Sequence, residues 1–253
     1  MKPAADLVQL TVIGCAGSHP GPESACSAYL LTHQGFQLLI DLGNGALGEL
    51  QNHVDPRDID TIFITHLHGD HWLDLVPFAH VRRHHPDGRV PPPVPVFTPL
   101  ADRPRIAGAF GRPEKTLADV FEFRDPCRTM IGPFEVTPLR TRHPVETHAV
   151  RVSASGKTLV YTADTGPFDE LADFAGGADL LLAEAGFVDG ADNPPDSHLT
   201  ATQAGQLAKE ARAGRLVITH VAPWHEGDNQ RDQAAAAFGG PTELARRGST
   251  FVV

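Results

Sequence analysis

Cysteine is scarce: Cys15, Cys26 and Cys127 are the only three in 253 residues. Their odd number and lack of metal-ligand spacing argue against a disulfide framework and for a cytoplasmic setting. Long apolar runs are missing too. None approaches the ~20 residues that span a bilayer, so no membrane role is expected. Positive charge is in deficit, with 21 Lys and Arg against 31 Asp and Glu and a net charge of −10. No dense basic run offsets it, which argues against a broad electrostatic interface with nucleic acid, although a local patch would escape the count. No linker-like segment interrupts the chain, and residues 1–253 are expected to form one domain. The N-terminal "LVQLTVIGC" alternates as a strand does, lacks a signal-peptide cleavage context, and is expected to be part of the fold.

Histidine is the surplus, with 14 residues. Three of them fall in "TIFITHLHGDHW", residues 61–72. "TIFIT" reads as a short buried strand and leads straight into His66, His68, Asp70 and His71. If the strand persists past His66, the i, i+2 spacing points His66 and His68 the same way. Gly69 permits a sharp turn, which puts Asp70 and His71 at the start of the next helix. Four ligand-type side chains then converge on one end of a rigid element. Imidazole with carboxylate suits zinc, manganese or iron rather than calcium. The plainer alternative is a polar turn with surface histidines, as in "RRHHP" at 82–86, but such a turn has no need of this density after a buried strand.

Strand-like runs occupy 7–13, 28–32, 35–43, 134–139, 148–154, 157–164, 178–185 and 215–220. Residues 45–51 and 72–83 read as helical, with Pro77 a kink or first-turn residue, and 200–212 is the clearest amphipathic helix, with Thr200 near its start. The proline-rich stretch 86–113 reads as irregular, with "VPVFTP" an edge strand at most. Strands alternate with helices but also follow one another directly, which suggests two mixed sheets with helices outside. "IFITH" ending at His66 and "LVITH" ending at His220 echo each other weakly.

"THLHGDH" matches an HxHxDH signature, and the chain resembles the metallo-β-lactamase superfamily. Further motifs follow in that family's order: His143 in "TRHPVE", Asp164 in "YTADTG" and His220 in "ITHVAPW". The resemblance spans "VIGCAGS" to His220. It implies a four-layer αββα sandwich with two divalent metal ions at the edge of the sheets, zinc before manganese. His66, His68 and His143 would hold one ion, Asp70, His71 and His220 the other, with Asp164 bridging. Spacing alone leaves His148 open beside His143, and His225 beside His220; Asp164 has a plain reading as a turn or cap residue.

Glu184 ends the run "LLLAE", and His198 precedes a helix in "SHLTATQAG". The pairing resembles the phosphodiesterase branch of the superfamily, ribonuclease Z and its short bacterial relatives. A glutamate there orients a histidine that protonates the leaving alkoxide, an effect worth about 10²–10⁴-fold. The plain reading makes Glu184 a surface strand-end residue and His198 part of a helix N-terminus. Asp70, His198 and Glu184 are the catalytic candidates. The short actinobacterial members imply a small cyclic nucleotide of the cyclic AMP type as substrate, and the branch implies a homodimer. One alternative is a transfer-RNA 3′-processing endonuclease, whose projecting arm finds no room between Asp164 and His198. Others are a lactone or thioester hydrolase and a catalytically idle metal-binding protein. The loop at 14–29 offers backbone amides, Ser24 and Ser27 to a phosphate, or is a plain turn. Arg82, Arg83 and Arg89 are further candidates, or simply solvated.

Overall fold

Short β-branched and leucine-rich runs pair into two sheets in this computed structural model, which describes residues 7–88, 91–99, 101, 103–111 and 113–253. The first sheet holds β1 (Gln9–Ala16), β2 (Ala25–Cys26), β3 (Ala28–His33), β4 (Phe36–Ile40), β5 (Thr61–Phe63), β6 (Val94–Phe97) and β7 (Phe121–Arg124). The second holds β8 (Thr129–Ile131), β9 (Phe134–Arg140), β10 (His148–Ala154), β11 (Lys157–Tyr161), β12 (Leu180–Glu184), β13 (Leu216–Thr219) and β14 (Thr242–Leu244). β15 (Thr250–Val252) returns to the first sheet beside β1. Each sheet starts as an antiparallel meander and continues as parallel strands. β5, β6 and β7 follow β4, and β12, β13 and β14 follow β11. Parallel strands need crossover connections, and helices supply most of them.

α1 (Ala46–Leu50), α2 (Gly69–Trp72), α3 (Leu75–His84) and α4 (Arg103–Ala109) cover the outer face of the first sheet. α5 (Asp169–Phe174), α6 (Ala201–Glu210) and α7 (Gly227–Phe238) cover that of the second. The alternation of strand side chains feeds all three apolar layers. Leu38 and Ile40 point between the sheets while Leu39 points to the helices, and Leu182 and Leu181 divide the same way. This is the expected αββα sandwich. No helix among the described residues is long and apolar enough to cross a membrane.

Several local expectations are corrected. "VPVF" is not an edge strand: β6 lies between β5 and β7. Its Pro95 is tolerated because Val94 and Thr98 donate toward β7, so the missing Pro95 N–H faces β5, whose ladder to β6 starts only at Ile62. The stretch 86–113 is not irregular throughout, since it holds α4 with Pro104 in the first turn, where proline is permitted. Pro77 likewise sits in the first turn of α3. β5 stops at Phe63, so the strand does not persist to His66. The echo falls on strands that are not equivalent, β5 being the first parallel strand after its meander and β13 the second.

α6 starts at Thr200 with a reciprocal cap. The Thr200 hydroxyl accepts from the Gln203 N–H at 3.3 Å, and the Gln203 side chain accepts from the Thr200 N–H at 2.9 Å. Removing such a cap costs about 1 kcal/mol. Thr200→Ala is therefore expected to lower the unfolding free energy by about that amount in a urea titration, with an unchanged m-value.

Candidate metal centre

The C-terminal ends of parallel strands from both sheets meet at one edge. Asp41 follows β4, His66 follows β5, and α2 carries Asp70 and His71. From the other sheet come His143 after β9, Asp164 after β11, Glu184 at the end of β12 and His220 after β13. Asp41, Ala163 and His220 all have left-handed backbone, with φ of 60°, 50° and 56°. This sharp departure turns their side chains, or the next one, into the site.

The structure brings together all seven expected donors. His66, His68, His143 and Asp164 form one group, and Asp70, His71 and His220 another. Asp164 reaches both: its Oδ2 lies 3.5 Å from His66 Nε2 and 3.5 Å from His220 Nε2, and its Oδ1 lies 3.4 Å from His71 Nε2. Asp70 Oδ2 is 3.7 Å from both His71 Nε2 and His220 Nε2. His66 and His68 converge through different ring nitrogens, Nε2 and Nδ1, 3.1 Å apart. His143 Nε2 lies 3.0 Å from the same His68 Nδ1. His148 stands on β10 beside Glu146, and His225 beside Trp224; neither joins the cluster.

Proton bookkeeping tests whether a cation fits. His143 Nδ1–H donates to the Ser197 carbonyl at 2.8 Å, so its Nε2 carries a lone pair. The Thr65 hydroxyl donates to Asp41 and therefore accepts from His66 Nδ1–H at 3.1 Å, which leaves a lone pair on His66 Nε2 as well. One N–H on His68 cannot serve both. Burial holds the pKa of His66, His68 and His143 below the ordinary histidine value, which favours the neutral, ligating form. A tetrahedral ion with N–metal distances of ~2.0–2.1 Å would space its donors by about 3.3 Å, close to what is found. In the second group His71 Nδ1–H donates to Asp41 at 2.8 Å. His71 Nε2 and Asp164 Oδ1 are left buried and without a hydrogen bond. Burial opposes a charged His71, but the carboxylates of Asp164 and Asp41 outweigh it and raise its pKa well above normal. Burial also opposes the Asp164 charge, and His220, His71 and His66 outweigh that in turn. The same attraction would hold a divalent cation, and the donor set fits one.

The supporting roles around the donors escaped the sequence reading, including that of Ser27, which it offered only to a phosphate. Asp41 has no solvent exposure and orients His71 and, through Thr65, His66. Ser27 Oγ lies 3.0 Å from His220 Nδ1, and the Ser18 N–H donates to Asp70 Oδ2 at 2.8 Å. The loop at 14–29 thus braces the donors, and Ser27 is spoken for there; Ser24 is engaged by the Cys15 N–H. The signal for Asp41 was present: a carboxylate closing the buried run "LLID" must find partners.

Glu184 and His198 meet. Glu184 is fully buried, not a surface residue, and its Oε1 accepts from His198 Nδ1–H at 3.0 Å and from the Thr165 N–H at 2.8 Å. The Gly186 N–H donates to the other oxygen at 2.9 Å. A Cβ on Gly186 would lie 3.1 Å from both Glu184 Oε2 and the His198 ring, so this position has little room for a side chain. Burial works against charge on His198, but Glu184 outweighs it and raises the pKa to about 9. His198 Nδ1 is 3.9 Å from Asp164 Oδ2, at the border of the donor cluster. The arginines take other roles. Arg82 is buried and donates to the carbonyls of Pro56, Arg57 and Pro92; Arg83 pairs with Asp119; Arg89 lies outside the described residues.

The sequence matches the beta-lactamase superfamily domain over residues 37–221. It is 36% identical to an uncharacterized protein of Mycobacterium leprae over 252 residues, covering 96% of this chain and 88% of that one. The probable metallo-hydrolase YhfI of Bacillus subtilis is 32% identical over 242 residues, 95% of this chain and 98% of its own. The YhfI crystal structure superposes with a TM-score of 0.89 at 30% identity, over 98% of this chain and 100% of that one. The short form of human tRNase Z shares the fold, with a TM-score of 0.75 at 23% identity over 96% of this chain and 98% of its own. On this sequence match and this fold, the chain belongs to the metallo-β-lactamase superfamily.

Proposed function

We propose that the chain is a phosphodiesterase of a small cyclic nucleotide, of the cyclic AMP type, working with two divalent ions, zinc before manganese. His66, His68 and His143 would hold one ion and Asp70, His71 and His220 the other, with Asp164 within reach of both groups. Bound there, the pair supplies a water acidic enough to attack near neutral pH and positive charge for the phosphate oxygens. The remaining work falls to the chain. Asp70, fixed by the Ser18 N–H, would help hold the second ion and would orient the water beside it. His198 delivers a proton to the departing alkoxide from Nε2, because Nδ1–H is committed to Glu184. Glu184 is a positioning residue: anchored by the Thr165 and Gly186 amides, it fixes the ring and favours its charged form.

The observation that carries this reading is the Glu184–His198 contact of 3.0 Å beside the donor cluster. An alkoxide is a poor leaving group and needs that proton; a phenolate does not. A transfer-RNA 3′-processing activity is the second reading, supported by the fold shared with human tRNase Z. Against it stand the net charge of −10 and the segment from Asp164 to His198, which is taken up by α5, β12 and the loops that join them to the site.

Metal analysis of protein purified without chelator is expected to give up to two equivalents of transition metal per chain. The double variant His66→Ala, His68→Ala should lose most of it, and unchanged content would refute the ligand assignment. His198→Ala is expected to keep its metal and to lose about 10²-fold or more in kcat on an alkyl diester, with a much smaller loss on bis-p-nitrophenyl phosphate. The protonated form of His198 is the active one, so activity falls as pH rises through its pKa. Glu184 raises that pKa, while bound cations would lower it. Glu184→Gln should therefore move the alkaline limb of the kcat profile to lower pH. In a substrate panel, cyclic AMP turnover should change little between low and physiological salt, while precursor transfer RNA should be cut poorly and bound in a steeply salt-dependent way.

A further inference from the structure

Trp224 is the aromatic among the exposed large apolar residues described, at 64% exposure; the others are Leu7, Leu73, Met130 and Val252. A single exposed apolar side chain ordinarily needs no explanation. This one is held in place. Its ring stacks on His19 with centroids 4.8 Å apart and planes at 21°. Its indole N–H donates to His225 Nε2 at 3.0 Å. One face is stacked and the N–H is satisfied, while most of the side chain stays open to solvent.

Both members of the stack grow from the wall of the metal centre. Trp224 follows His220 by four residues, and His19 follows Ser18, whose N–H binds Asp70 Oδ2. The two segments are sewn together: Ala16 bridges to Val221, and the Gly17 N–H donates to the Val221 carbonyl at 3.2 Å. At Gly17 a Cβ would stand 2.6 Å from the His220 carbonyl oxygen, so only glycine lets this loop lie against the donor histidine. His198 and Phe187, 4.9 Å apart by ring centroids, mark another part of the rim.

Resting on the phosphodiester reading, we infer that Trp224, backed by His19, is the platform on which the base of the nucleotide stacks while its phosphate lies among the metal donors. A planar heteroaromatic ring suits an open indole face. Stacking of this kind is tolerant of base identity and contributes about 5- to 150-fold in affinity when the aromatic is truncated to alanine. The platform touches the base and not the reacting atoms, so its contribution is equal in ground and transition states and belongs in KM.

The chain has two tryptophans, and Trp72 is buried at 3% exposure. Trp72 nonetheless sits beside His71 on α2, so quenching is assigned to Trp224 by its loss in Trp224→Ala. Metal-replete protein titrated with adenosine 5′-monophosphate is expected to show saturable quenching. Ribose 5-phosphate, which has the phosphate and no base, should show little. Trp224→Ala should raise KM for cyclic AMP about 5- to 150-fold with kcat nearly unchanged, and Trp224→Phe should recover most of the loss. No quenching, equal quenching by ribose 5-phosphate, or a KM unmoved in Trp224→Ala would overturn the inference. Absence of cyclic AMP turnover in the unaltered protein would instead refute the phosphodiester reading, and the quenching is read without turnover.

Discussion

The carboxylate of Asp41 is the constraint on which the site depends. It has no exposure, and burial pushes its pKa up against the pull of His71 and Thr65. A charge taken from water must be met by fixed donors or it is not tolerated. Asp41 finds them in the Thr65 N–H at 2.8 Å, the Thr65 hydroxyl at 2.9 Å and His71 Nδ1–H at 2.8 Å. Meeting that demand fixes the turn after β5 and the first turn of α2 together. It also sets which nitrogen of His71 faces inward, and by way of Thr65 which nitrogen of His66 does. The most costly group in the fold is thus the one that aims the donors.

Neither sheet could build the centre alone. The first gives a short, dense sequence motif, because a tight turn after β5 and a single helical turn can carry four side chains to one spot. The second gives one residue per strand end, spread over nearly 80 positions from His143 to His220. Each donor group draws residues from both sheets, so the packing of apolar side chains between the sheets closes both groups, and Asp164 reaches into each.

That division explains what could be read from the sequence. HLHGDH is local, so its chemistry is visible without a fold. Asp164, His220, Glu184 and His198 stood out through motifs that resemble the family's, each beside a strand or helix boundary. Ser27 lies 193 residues from His220, and Ser197 offers only a backbone carbonyl to His143. A carbonyl leaves no trace in residue identity, and a lone serine leaves almost none. The geometry of His66 and His68 was misjudged for a related reason. The spacing suggested one strand face, whereas the turn reaches the same convergence with Nε2 from one ring and Nδ1 from the other. In 86–113 the density of proline hid α4 and the interior position of β6, because Pro104 and Pro95 occupy positions where the missing N–H is not required.

The left-handed backbone at Asp41, Ala163 and His220 has a consequence for laboratory evolution. Non-glycine residues in that region carry strain of about 1–3 kcal/mol each. A selection that rewards melting temperature alone is therefore drawn toward these positions, where glycine relaxes the chain. At 41 and 220 the gain removes a group the centre needs, and thermostable winners would be inactive. At 163 the side chain is only a methyl group, so Ala163→Gly separates the two pressures and offers relief without sacrificing a donor.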